Sequence, residues 1–208
     1  MSADGRQPVP SDVPAETTRD QLVVVATDVI RSHGLHAFAL DDVAEAAGLD
    51  ALAVARHFAT RDDVVEAVVD RHVAAVLHIQ EPLLDRVNTL TDLLEWRDNV
   101  VLINRRSGGS RGCPMASLIN VVTDDDAARR ALAAGFDRWE DKLAGALGRL
   151  QVNGELTVTT DPAALATATL ALLQGGLLLA LTAHDPGKLA LALDMAFNNL
   201  GVSAGAWS

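Results

Sequence analysis

Two arginines and a histidine, Arg56, His57 and Arg61, are the side chains here whose types and spacing best fit a chemical task. A guanidinium carries a planar fork of donors that suits a phosphate or the edge of a guanine, and a neighbouring imidazole can also face a phosphate oxygen. Other chemistries find no foothold. The six histidines are scattered without His-x-x-x-His spacing, and one cysteine, Cys113, permits neither Cys-x-x-Cys nor an intrachain disulfide, so no metal site is expected. There is no Gly-x-Ser-x-Gly, and Gly108-Gly109 lacks the Lys-Ser or Lys-Thr that would complete a phosphate loop. Asp124, Asp125 and Asp126 read as a solvated helix start rather than a cation site. Cys113, between Gly112 and Pro114, reads as a small buried residue rather than a reactive thiol. Neither an enzyme nor a cofactor is expected.

Positioning Arg56, His57 and Arg61 falls to residues 39–70. Leu40, Val43, Ala44 and Ala47 recur at helical spacing, and Gly48 then interrupts. The pattern restarts behind Asp50, a good N-cap, with Leu52, Val54, Ala55 and Phe58. Two short helices around a glycine turn describe a helix-turn-helix, which needs flanking helices to bury it. Residues 18–33, with Leu22, Val25, Ala26, Val29 and Ile30 on one face and Gly34 closing, supply one. A long helix from Arg61, which Pro82 should end or kink, supplies the other.

The fold class expected is all-α. Alanine, leucine and valine dominate, tyrosine is absent, and aromatic residues make up only 3%. The first 17 residues have no apolar stretch of signal-peptide type and read as a disordered tail, so a cytoplasmic protein is the default. The net charge of −11 argues against nucleic acid, although a local positive face would be enough to bind it.

Further along, helices are expected over 89–104 and from Asp124 to about Gln151, where Asn153-Gly154 stops the helix. Residues 105–112, with three glycines and three arginines, form a loop, and a short apolar helix follows to Val122. Asp161-Pro162 and Asp185-Pro186 each place an N-cap before a proline at the first helical position. The first of these helices, 163–183, has no charged residue and the length to cross a membrane. Its flanks, Asp161 and Asp185, are not basic anchors, so a buried or interfacial helix is expected and no membrane partner.

Gly34, Val43-Ala44, Ala47-Gly48-Leu49, His57-Phe58 and Arg61-Asp62 resemble, in order and spacing, the amino-terminal signature of the tetracycline-repressor (TetR) family. The Gly-Cys-Pro turn, Arg138-Trp139-Glu140, the Asn-Gly-Glu-Leu turn and the Gln-Gly-bearing apolar helix resemble its carboxy-terminal part. That resemblance implies a helix-turn-helix head over 18–70 and a ligand-binding and dimerisation body over 71–203, with tails at 1–17 and 204–208. It implies a homodimer whose last two long helices build an intersubunit four-helix bundle, a double-stranded DNA operator and a small apolar effector. The recognition positions would be Asp50, Ala51, Ala53, Arg56, His57 and Arg61, with Arg61 standing where the family has a lysine. Trp96, Asn104, Met115, Leu118, Trp139 and Gln174 would line the pocket. Leu173, Leu177, Leu178, Leu193 and Phe197 would form the dimer contact.

The departures from the family pattern matter. Phe38 and Ala39 stand at hydroxyl positions, alanines fill the contact positions, and Ala55 replaces the expected tyrosine. Asp41, Asp42, Asp50, Asp62 and Asp63 oppose the counterion release on which DNA affinity rests. A ligand-binding or protein-interaction dimer with the same fold but weak or lost DNA binding is therefore the alternative reading.

Overall fold

The computed structural model describes residues 18–34, 37–110, 112–122 and 126–198. Among them there are helices and no strands. The expected tails, Asp124 and Asp125 lie outside the described residues. The chain divides into two compact units between Arg61 and Asp62, so nearly all of the long fourth helix counts with the larger unit rather than with the head.

In the smaller unit, α1 (Arg19–His33) starts with a reciprocal cap. Gln21 N–H donates to Thr18 Oγ1 at 3.3 Å, while Gln21 Oε1 accepts from the Thr18 N–H at 2.8 Å. Leu22, Val23, Ala26, Val29 and Ile30 form its buried face. In α2 (Leu40–Ala47), the N-cap Ala39 offers no side-chain acceptor. Asp42 takes part of that role, since its Oδ2 accepts from the Ala39 N–H at 2.7 Å. Gly48 ends α2 in the left-handed region (φ 67°, ψ 31°), a conformation that only glycine adopts cheaply. The third helix, α3 (Ala51–Ala55), follows at once.

The larger unit holds α4 (Arg61–Leu84, its first residue belonging to the smaller unit), α5 (Leu90–Arg106) and a short 3-10 turn (Ala116–Leu118). It continues with α6 (Ile119–Val122), α7 (Asp126–Val152), α8 (Pro162–Ala183) and α9 (Gly187–Asn198). Pro82 does not end α4, which runs two residues further to Leu84. Side chains take up the carbonyls that the end of the helix leaves without a following turn. Arg86 Nε donates to the Pro82 carbonyl at 2.8 Å, and Arg149 Nη2 of α7 donates to the Leu84 carbonyl at 2.5 Å. Arg149 Nε reaches the Val87 carbonyl at 2.9 Å, so one guanidinium secures the whole α4–α5 turn.

Thr89 caps α5, and the Asp92 carboxylate accepts from the N–H groups of Asn88 (2.9 Å) and Thr89 (2.8 Å). Those backbone donors hold the Asp92 carboxyl below the usual carboxylate range. The ammonium of Lys142 on α7 sits 3.2 Å from Asp85, and this hydrogen bond raises its pKa. Gly135 of α7 lies against Val73 of α4, where an added Cβ would meet Val73 Cγ2 at 2.3 Å. Only a bare backbone lets these two helices come so close.

Asp161 caps α8, with Oδ1 accepting from the Ala163 N–H at 3.0 Å. This helix is long and apolar enough to cross a membrane. Ala166, Thr169, Leu170, Leu173, Gly176 and Ala180 face inward, whereas Leu178 and Leu179 are exposed. On α9, Leu189, Leu193 and Phe197 are buried, and Leu191 and Met195 are exposed.

Candidate functional site

Asp50 carries out the role its position suggested: its Oδ1 accepts from the Ala53 N–H at 2.7 Å and starts α3. The helix is only five residues long. Val54 and Phe58, each 1% exposed, anchor it in the core of the smaller unit. Asp50, Ala51, Arg56 and His57 are exposed, and Ala53 is half-buried.

Leu52 departs from the expected pattern. It is 66% exposed rather than packed, which leaves Ala51, Leu52 and Ala55 as an apolar outer face beside Arg56. A five-residue helix is too short for periodicity to define its inner side, and the signal that could have found Leu52 is its offset from Val54 and Phe58. An exposed leucine on such a helix suits the C5-methyl of a thymine.

The two arginines prove unlike. Arg56 is exposed. Arg61 is half-buried, its Nε donates to the Phe38 carbonyl at 3.3 Å, and its guanidinium lies 6.0 Å from the Phe38 ring centre. Arg61 therefore ties the start of α4 to the segment before α2, whatever it does with phosphate. Arg19 lies over the Phe58 ring at 4.9 Å, close enough for a cation–π contact.

The larger unit contains a cavity of about 190 Å³ with no charged side chain on its wall among the described residues. Of the six residues expected there, Asn104 and Trp139 are on the wall. Trp96, Met115, Leu118 and Gln174 are not. Trp96 is core: it meets Phe197 edge-on at 6.3 Å, and its Nε1 donates to Gln80 Oε1 at 2.6 Å. Met115 and Leu118 are likewise consumed in packing. Leu173 and Leu177, expected at a subunit contact, line this cavity, and Leu177 is half-buried. Gln80 and Cys113, which the sequence did not single out for it, complete the polar part of the wall.

Among the described residues, the buried polar groups with no hydrogen-bond partner include Trp139 Nε1, Thr169 Oγ1 and the amide of Gln174. Of these, Trp139 is a wall residue, and Thr169 and Gln174 are not.

The expected dimer residues also separate. Leu173, Leu193 and Phe197, at most 1% exposed, are buried within the chain and have no surface to offer a partner. The inner faces of α8 and α9 pack on neighbouring helices, so the open apolar surface comes from Leu178, Leu179, Leu191 and Met195. Arg97 of α5 is buried and ion-paired with Asp194 of α9 and with Asp98.

Comparison with known proteins agrees with this architecture. Residues 22–68 match the family model for bacterial regulatory proteins of the tetR family. Residues 92–195 match that for the C-terminal domain of LmrA/YxaF-like transcriptional regulators. An uncharacterized HTH-type transcriptional regulator of Mycobacterium tuberculosis is 31% identical over 137 residues, covering 61% of this chain and 67% of the relative. The HTH-type transcriptional activator FasR of Mycolicibacterium smegmatis is 33% identical over 61 residues, covering 29% of this chain and 28% of that protein. Among solved structures, the SmeT–triclosan complex superposes with a TM-score of 0.72 at 22% identity, covering 91% of this chain and 94% of that one. A Pseudomonas aeruginosa regulator gives 0.73 at 15% identity, covering 89% and 91%. With both the helix-turn-helix unit and the helical body matched, this chain belongs to the TetR family of transcriptional regulators.

Proposed function

We propose that the chain is a repressor that works as a homodimer and leaves its operator when a small, mainly apolar molecule occupies the body. The observation that carries this reading is the uncharged cavity in the larger unit, in a chain whose other unit is a helix-turn-helix. Two heads would take successive major grooves of a partly palindromic operator. Release requires only that the effector bind the low-affinity state more tightly than the DNA-bound one. The dimer contact would use the open faces of α8 and α9, centred on Leu178, Leu179, Leu191 and Met195.

A second reading has a specific observation in its favour. The exposed carboxylate of Asp50 stands at the DNA-facing start of α3, where it repels phosphate. A dimer of this fold with weak DNA affinity would suit that charge. Titrating the purified protein against its own upstream region at physiological salt separates the two. Sequence-selective binding, strengthened by Asp50→Ser because serine keeps a capping oxygen and removes the charge, supports the repressor. No selective binding by either protein would put the second reading first.

A further inference from the structure

We propose that the effector is a neutral, single-ring-sized molecule whose hydrogen-bond acceptor is held by the indole N–H of Trp139. This inference rests on the effector reading above and names its chemical class.

Size comes first. A cavity of about 190 Å³ is smaller than the roughly 300–1,000 Å³ of pockets for drug-sized ligands. An apolar cavity of about 150 Å³ is enough for benzene. The space therefore fits one ring with a short substituent.

Charge comes second. No Asp, Glu, Lys, Arg or His stands on the described wall, so a carboxylate or ammonium would be stripped of water with no counter-charge to meet it. A neutral ligand follows.

The polar wall groups decide the rest. Trp139 is 2% exposed and its Nε1 has no partner. An indole nitrogen only donates, so the unmet need is for an acceptor. Gln80 adds to the same polarity. Trp96 Nε1, another obligate donor, claims Gln80 Oε1 at 2.6 Å, which fixes the amide orientation and leaves its NH₂ as the remaining polar end. Trp139 and Gln80 thus put two donors on a wall whose other amide, Asn104, has both polarities, and an acceptor such as a carbonyl or ether oxygen has the more partners there.

The test uses the full-length protein without DNA. Calorimetric titration compares acetophenone with ethylbenzene, its near-isostere without an acceptor, and with benzoate, which carries the charge. Acetophenone is expected to bind about three- to tenfold more tightly than ethylbenzene, the range a net hydrogen bond supplies, and benzoate is expected not to bind. In ¹⁵N-labelled protein the Trp139 indole signal should shift with acetophenone. The Trp96 signal, already bonded to Gln80, should move less; Trp139→Phe and Trp207→Phe assign the signals. Trp139→Phe should abolish the preference for acetophenone while still admitting ethylbenzene.

Equal affinity for the two neutral probes, binding of benzoate, an unmoved Trp139 signal, or no binding at all would each overturn the inference. The ligand series on the unchanged protein decides even if Trp139→Phe fails to fold. Acetophenone binding without release from the operator would instead count against the repressor mechanism and leave this inference standing.

Discussion

Arg56, Arg61 and Leu52 share one short stretch and predict three different phenotypes. Arg56 is exposed and free to reach a base edge, so Arg56→Ala is expected to cost about 1–3 kcal/mol of operator affinity and to relax preference at one base pair. Arg61 holds the Phe38 carbonyl, so Arg61→Ala should weaken binding to all sequences alike and also lower the head's stability by about 1 kcal/mol. Paired denaturation and DNA titrations tell the two apart. Leu52 is exposed on the same helix, and burying its side chain against a thymine methyl would contribute about 1 kcal/mol. Replacing each operator thymine in turn with uracil, which lacks that methyl, should reveal one position where Leu52→Ala and the methyl loss are not additive. Additive losses everywhere would remove Leu52 from the recognition surface. Asp50 was legible in the sequence because an N-cap is a local device, set by residues three apart. Leu52 was legible only as an offset from Val54 and Phe58, a weak signal in a five-residue helix.

The element scale shows why α5 and α9 answer to each other. Arg97 of α5 is buried and paired with Asp194 of α9, and removing one member of such a pair strands the other charge. Arg97→Ala is expected to destabilise the larger unit by about 3–5 kcal/mol, measured by denaturant unfolding. Loss of less than about 1 kcal/mol would show that water already reaches the pair. The start of α5 supplies a pH test. Asp92 has its pKa lowered from an ordinary value of about 3.8 by the Asn88 and Thr89 N–H groups. A lowered carboxyl stabilises the folded state above that ordinary value and loses the contribution as pH falls through the folded one. Asp92→Ala should thus be less stable than the parent at neutral pH, and the gap should close in acid. An unchanged gap at low pH would mean that the carboxylate charge contributes nothing. The caps Thr18, Asp50 and Asp161 could be read from sequence. The way α4 ends past Pro82 could not, because Arg149, far along the chain, meets the carbonyls of Leu84 and Val87.

Across the whole molecule, the all-helical fold and its family were written in the Gly48 turn and the capped helices, whereas the division of α8 between cavity and surface was not. A helix apolar all round has no moment to say which side is inner, and Leu173 and Leu178 look alike until α7 and α9 are in place. If the open face of α8 and α9 is the subunit contact, Leu178→Arg should give monomers by sedimentation without unfolding, since Leu178 is 60% exposed in the single chain. A parent already monomeric at micromolar concentration would defeat the dimer. The charge-free character of α8 then bears on fidelity of pairing. Proteins usually tell partners apart by placing like charges where the wrong mate would sit. With no ionised group along its 22 residues, α8 has no such veto to apply. Along α8, sister regulators made in the same cell could be refused only by contour, and the bare backbone at the exposed Gly175 would be where a mismatched mate first fails to fit.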